Sequence, residues 1–290
     1  MTEREHYVPR FYLKRFINQK GQISVYDFEK NCFFSASPKT LFFENNLYET
    51  PFENANEKLG QFVVQNDIEN VFEREESKYS KLLKDIEYRC SNPQNAEALI
   101  LSSSEKDLLC ELAINFLLRN PKNMETLNLS YLDDDFLNSD FYIALNELLE
   151  KMKIGGAESI CKAAQKKVML TNEFKGAFPG ELVKSIRKLC FSFYYAKENE
   201  FISSDMPVCF GTDIAIVGDD KTCLYLALSP RVAVLFGNYK NSRLHRNRVI
   251  EISGDTVDSL NYEMIRKKYY TRFVFARNIE VLRNELKREI

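Results

Sequence analysis

The sequence predicts an α+β protein whose mixed sheet is formed by N- and C-terminal segments around a large helical middle. Short apolar runs bounded by Gly, Pro, Asn and Asp lie near both ends, as in Ile23–Phe28 and Leu224–Leu228. Across residues 54–172, apolar positions recur at helical spacing instead. The 290 residues are 44% hydrophobic and include 22 Phe and 15 Tyr, enough to fill one interior. No repeat or linker divides them, so a single domain over residues 1–290 is expected, with the helical part inserted at about 54–172.

The elements follow in order. Gln22–Phe28 alternates, Glu29-Lys30-Asn31 turns, and Cys32-Phe33-Phe34 returns as a partner strand. Pro38 opens a short helix before Leu47-Tyr48. A long helix, or two in succession, is predicted from Asn54 to Arg89, with Asn54 and Glu57 as a capping box. A second begins at Ser102-Ser103-Ser104 and ends at Arg119-Asn120-Pro121. Leu137–Met152 and Ala157–Leu170 are the next two, separated by Gly155-Gly156. Beyond Phe178-Pro179-Gly180 come strands at Cys190–Tyr195, Phe201-Ile202, Val208–Phe210, Leu224–Leu228 and Val232–Phe236. Asp255–Tyr270 reads as helix, Arg272–Phe275 as strand, and the chain closes on a charged helix.

Composition narrows the function. No run approaches the roughly 18 apolar residues of a membrane span, and Met1–His6 lacks the apolar stretch of an export signal. The seven cysteines are scattered singly, which fits buried free thiols in a reducing, cytoplasmic setting. Net charge is −2, but from Lys221 onward 14 Lys/Arg face 7 Asp/Glu, a surplus suited to an anionic partner. No Walker loop, G-x-G-x-x-G, G-x-S-x-G or H-E-x-x-H occurs, against the common nucleotidases, dehydrogenases, hydrolases and zinc peptidases.

The stretch His6-Tyr7-Val8-Pro9-Arg10-Phe11-Tyr12-Leu13-Lys14-Arg15-Phe16 is the richest in chemistry. It joins a group that titrates near neutrality to guanidinium forks for phosphate or carboxylate. The competing reading is structural: Tyr7, Pro9, Tyr12, Leu13 and Phe16 pin the N-terminus to the core while His6 makes a structural hydrogen bond. Ser203-Ser204-Asp205-Met206-Pro207 is a loop leaving a strand, and Asp205 could orient His6, hold a metal or cap the turn. Arg243, Arg246 and Arg248 form a basic cluster able to meet phosphates. Glu69 and Glu73, one helical turn apart, could hold a divalent cation or simply face water.

His6–Phe16 resembles the opening of the bacterial family called domain of unknown function 4238. The resemblance continues through Gly21–Asp27, Leu47-Tyr48-Glu49, Ala113–Pro121, Phe201–Val208, Leu226–Pro230 and Val257–Ala276. Ser203 stands where Thr is common, Ala227 interrupts an apolar-Leu-Ser-Pro block, and Asn120 is the variable residue of Arg-x-Pro. The resemblance singles out His6, Arg10, Tyr12, Arg119, Ser204 and Asp205 and implies no particular reaction.

Two functions are expected from these residues. The first is a phosphodiesterase- or nuclease-like effector acting on RNA in bacterial toxin or antiviral defence. His6 would be its acid or base, Arg10 and Arg119 its phosphate clamp, Tyr12 its stacking ring, and Asp205 the residue that orients His6 or holds a metal. The second is a non-enzymatic sensor or binding module for a nucleotide-like or phage-derived anion, with Ser204 and the Arg243–Arg248 cluster as contacts. Self-association or a partner protein would use the helical middle.

Overall fold

The chain begins by threading its own core. In the computed structural model, which describes residues 4–56, 60–91, 99–127, 131–152, 156–173, 178–210, 223–237, 249–266 and 271–287, strand β1 (Arg4–His6) leads into Pro9. The Pro9 carbonyl accepts the Tyr12 and Leu13 amides at 3.0 and 3.1 Å and so starts the four-residue α1 (Arg10–Leu13). A 3₁₀ turn over Lys14–Phe16 follows, then the predicted hairpin of β2 (Ile23–Asp27) and β3 (Cys32–Ala36), turned at a left-handed Asn31. Strand β4 (Phe43–Asn45) returns antiparallel to β1.

The long helix starts later than its sequence pattern suggests. The predicted start at Asn54 falls in β5 (Pro51–Asn56), which pairs with β6 (Gly60–Phe62). Gly60 has φ +79° and Asn66 φ 56°, so the backbone leaves helical geometry twice before α2 (Asp67–Ser91) begins. From there the predicted stripe holds: Val71, Phe72, Tyr79, Leu82, Leu83 and Ile86 are all buried.

Helix α3 (Ser103–Leu118) opens on a full capping box: Ser102 Oγ accepts the Glu105 amide at 3.3 Å, and Glu105 accepts the Ser102 amide at 2.6 Å. Pro121 then starts α4 (Pro121–Thr126). The helix predicted over Leu137–Met152 is split into α5 (Asp134–Leu137) and α6 (Asp140–Lys151), because Ser139 caps the second by accepting the Tyr142 amide. Helix α7 (Ala157–Leu170) lies where predicted, and α8 (Phe178–Arg187) leads to the strands.

Those strands are β7 (Cys190–Ala196), β8 (Ser203–Ser204), β9 (Val208–Phe210), β10 (Cys223–Ala227), β11 (Val232–Gly237) and β12 (Val249–Ile252). Helix α9 (Gly254–Arg266), strand β13 (Phe273–Ala276) and helix α10 (Ile279–Lys287) complete the described chain. The predicted strand at Phe201-Ile202 is displaced by two residues, to β8. Two principal sheets result rather than one. The four-stranded sheet β3-β2-β13-β8 is antiparallel and joins both ends of the chain. The five-stranded sheet β12-β7-β11-β10-β9 is mixed, since β12 runs parallel to β7, and lies wholly within residues 190–252. Among the described residues no helix is long and apolar enough to cross a membrane.

One hydrophobic cluster runs from Tyr7 to Leu282. Tyr12 sits at its centre, with ring centroids 4.7 Å from Phe116 and 5.3 Å from Phe16. Its hydroxyl donates to the Ala227 carbonyl at 2.6 Å and lies 2.8 Å from Ser203 Oγ, so one phenol joins β10 of one sheet to β8 of the other. Cys90 and Cys110 are free and buried, and burial pushes both thiols up to about 12, leaving them protonated. Tyr12→Phe keeps the packing and removes both hydrogen bonds. A loss of about 1–3 kcal/mol of unfolding free energy is expected by urea denaturation, with an unchanged slope. An unaltered midpoint would mean the phenol does not join the sheets.

Candidate functional site

The His6-to-Pro9 segment, the end of α3 and the loop after β8 meet at one buried junction. Its centre is Arg119, only 2% exposed. Helix α3 ends at this residue, and its guanidinium turns back toward β1. Nη2 donates to the His6 carbonyl at 2.5 Å, Nε to Tyr48 Oη at 3.0 Å and Nη1 to Glu76 at 3.1 Å. Glu69 lies 3.7 Å from Nη2, and the guanidinium stacks 4.2 Å from the Phe72 ring centroid. Burial opposes the charge, but Tyr48, Glu76 and Glu69 outweigh it, so Arg119 is always ionised. The next residue, Asn120, donates to the Asp205 carbonyl at 3.2 Å.

Most of the predicted site residues act here as joints. Tyr12 has no accessible surface and cannot stack on a substrate. Ser204 Oγ donates to the Met206 carbonyl at 2.7 Å and accepts the Met206 amide at 3.2 Å, a local turn with no spare hydrogen. Asp205 accepts the amides of Arg272 at 3.2 Å and Phe273 at 3.3 Å, fastening its loop to β13. Those amides lie 67 and 68 residues along the chain, so the bonds tie the loop to another strand, which none of the three roles weighed for Asp205 anticipated. Burial raises Asp205 to about 6, and the two amides oppose that rise. Arg243, Arg246 and Arg248 lie outside the described residues.

His6 and Arg10 differ from these. His6 is 8% exposed, its ring is packed 5.7 Å from Phe43, and the backbone of Pro38 and Lys39 lies against it. Burial, then the charges of Arg10 and Arg119, lower its pKa to about 4, so the imidazole is neutral at pH 7. Its Nε2 has no hydrogen-bond partner. Arg10 is exposed at the start of α1, and its guanidinium makes no hydrogen bond or ion pair among the described residues. Arg4, stacked 5.0 Å over the Phe43 ring, and Lys39 are exposed around the same histidine.

The opposite face of β1 carries residues that motif reasoning missed. Glu5 is fully buried; it accepts the Tyr48 amide at 2.7 Å, and its Oε1 has no hydrogen-bond donor. The neighbouring Glu49 carboxylate accepts the Asn66 amide at 2.7 Å. Burial, then repulsion from Glu49 and Glu69, holds Glu5 well above the usual carboxylate range despite that amide. Burial likewise raises Glu69 to about 7, and it shares Arg119 with Glu76 while Glu73 is exposed. Among the described residues no three His, Cys, Asp or Glu are grouped to hold a metal. Lys166 Nζ donates to the carbonyls of Glu49 at 2.9 Å and Leu47 at 3.3 Å. Of this cluster the sequence reading had picked out Glu69 as a cation ligand and Glu49 within the family resemblance, but not Glu5.

Cavities flank the junction. A cleft of about 690 Å³ between α2 and α3 is lined by Phe72, Glu75, Lys78, Tyr79, Glu111 and Asn115, among others. A second, of about 370 Å³, lies between β6, α2 and α7. None of the residues chosen from the sequence lines either one.

An α+β protein knitted at one buried arginine by its N-terminal His-x-x-Pro segment is the class this geometry defines. The chain belongs to the family described as "Protein of unknown function (DUF4238)", which it matches over residues 4–280. Neither a curated protein nor a solved structure is significantly similar to it.

The pKa shifts have opposite consequences. His6 is lowered, so the stability it confers is complete above its unfolded value of 6.5 and is lost as pH falls toward 4. Glu69 is raised, so its contribution is complete below 4.5 and is lost as pH rises through about 7. Glu69→Gln removes the second loss. Relative to the parent, it should gain up to about 3 kcal/mol in unfolding free energy between roughly pH 5 and pH 8. A difference that does not change with pH would contradict the raised carboxyl.

Proposed function

We propose that the protein is a binding module for an anionic, nucleotide-like ligand, read at the edge formed by His6 and Arg10. The observation that carries this reading is an exposed guanidinium, free of partners among the described residues, beside a neutral imidazole whose Nε2 is unpartnered. Arginine offers a planar fork to phosphate or carboxylate. Arg4 and Lys39 add positive charge around it. Arg119 then acts as a positioning residue: through the His6 carbonyl it fixes where the ring stands, while its own donors stay inside the protein.

Phosphodiester cleavage, as of RNA, is the second reading. A neutral imidazole is the protonation state that a general base needs at neutral pH, which favours it. A pKa of about 4 also leaves that base weakly driven, and Arg119 and Tyr12 are not free to hold substrate. Recognition therefore accounts for more of the geometry than catalysis does.

Calorimetry with ATP and with inorganic phosphate separates the two. Binding that Arg10→Ala weakens at least about tenfold, roughly 1.4 kcal/mol, with the fold intact and an RNA oligonucleotide left uncut, supports the module. RNA products that disappear in His6→Ala would replace it with the enzyme. No binding of either probe and no products would remove both.

A further inference from the structure

Helix α6 turns an apolar stripe to solvent. It packs against α5 and α7, yet Leu149 is its only buried residue. Phe141 is 66% exposed, Leu148 54%, and Met152, the C-cap that still holds helical dihedrals, 58%. With the half-buried Leu145 they follow one another at intervals of four, three and four residues. That is the a/d spacing of a coiled-coil seam, here about 16 Å long, and it calls for a second helix alongside. The Phe136 ring reaches only Phe141, at the N-terminal end of the stripe. Ala144, exposed on the flank, leaves room for a neighbouring backbone to approach.

Charge decides which helix fits. Over residues 133–151 six acidic residues stand against one base, Lys151, so an anionic membrane surface is repelled. Asp140 and Lys151 are both exposed and lie about three turns apart, on the same flank of the stripe. Among the described residues Asp140 has no ion pair, and Lys151 only approaches Glu147 at 3.8 Å. Laid antiparallel on a second α6, the stripe complements itself. Phe141 opposes Met152 of the second copy, a favourable sulfur–ring pairing, and Leu145 opposes Leu148. The same register brings Asp140 of each helix level with Lys151 of the other. A parallel pairing would instead set Asp140 against Asp140 and the run Asp133–Asp135 against its own copy.

We propose that two copies of this chain associate through α6, antiparallel about a twofold axis, with Phe141, Leu145, Leu148 and Met152 as the seam and an Asp140–Lys151 pair at each end. An isologous contact of this kind closes on itself and stops at the dimer. A seam this short buries less than the roughly 1,600 Å² of a standard interface, so a reversible dimer, dissociating in the micromolar range, is expected.

Sedimentation velocity on the full chain, from about 1 to about 300 µM, tests the proposal, with monomer expected at the low end and dimer at the high end. Leu148→Ser should weaken association at least about tenfold, or roughly 1.4 kcal/mol, with the circular dichroism unchanged. If that variant does not fold, Phe141→Ser removes the end of the same seam. Asp140→Lys and Lys151→Asp each set like charges against one another at both ends, and each alone should associate about three- to tenfold more weakly. An equimolar mixture of the two restores opposite charges in both pairs and should recover the parent's affinity, which no change confined to one chain's fold can do. Tyr88→Ser, an equally exposed ring on α2, should change nothing. A monomer at every concentration, which would leave the stripe to a different partner, overturns the proposal. So does a dimer indifferent to Leu148→Ser and Phe141→Ser, or a mixture no tighter than its components. Arg10→Ala should dimerise as the parent does, which separates this surface from the anion edge.

Discussion

A charged group inside a protein is tolerated only where partners surround it, and Arg119 illustrates how much structure that requirement can recruit. Its guanidinium is met by a backbone carbonyl from β1, a phenol from the β4–β5 turn, two carboxylates and a ring face from α2. Removing one partner of such an arrangement leaves a desolvated charge and costs roughly 3–5 kcal/mol. Each contributing segment is therefore held in place by the others. Strand β1 is short, and among the described residues β4 is its single pairing partner. Its fixed position depends on Arg119 and on Phe42, whose left-handed backbone (φ 52°) presents a carbonyl to the Tyr7 and Val8 amides at 3.0 and 3.5 Å.

The N-terminal motif is then a set of ties rather than a catalytic string. Tyr12 reaches both sheets, and Arg15 donates to the Leu228 carbonyl at 2.6 Å and to Glu87 at 2.5 Å. Pro9 starts α1 and directs these side chains inward. Polar chemistry remains uncommitted at the exposed Arg10 guanidinium and at Nε2 of His6, which is itself buried.

The sequence made some of this legible for identifiable reasons. The Ser102 cap, the boundaries of α7 and the stripe of α2 were readable because local hydrogen bonding and 3.6-residue periodicity act within a few residues. The hairpin at 51–62 was not, because an apolar set that continues the period of α2 conceals two left-handed positions, Gly60 and Asn66. The expected site required His6, Arg119 and Asp205 to meet, which their motifs could not show; Arg119 reaches the His6 carbonyl and Asn120 the Asp205 carbonyl. That all three are buried was not legible either, since spacing says nothing about whether an arginine's donors meet solvent or a carbonyl 113 residues away. Glu5 escaped notice because an isolated carboxylate carries no pattern; only burial makes it unusual.

Strand geometry places the two kinds of unspent polarity on opposite sides of one element. Successive side chains of a strand alternate faces, so Glu5 enters the carboxyl cluster while His6 looks toward Arg10 and Lys39. Burial depresses the histidine and the cations on its side add to that; burial raises Glu5, and Glu49 and Glu69 add to that on the other. Arg119 lies between them: it lowers His6 and limits the rise of Glu69. Because coupling free energy is reciprocal, a charge introduced on either face of β1 must alter the other by the same amount. The three-residue strand thus separates a buried carboxyl cluster from the cations around His6, and Arg119 holds it in place between them.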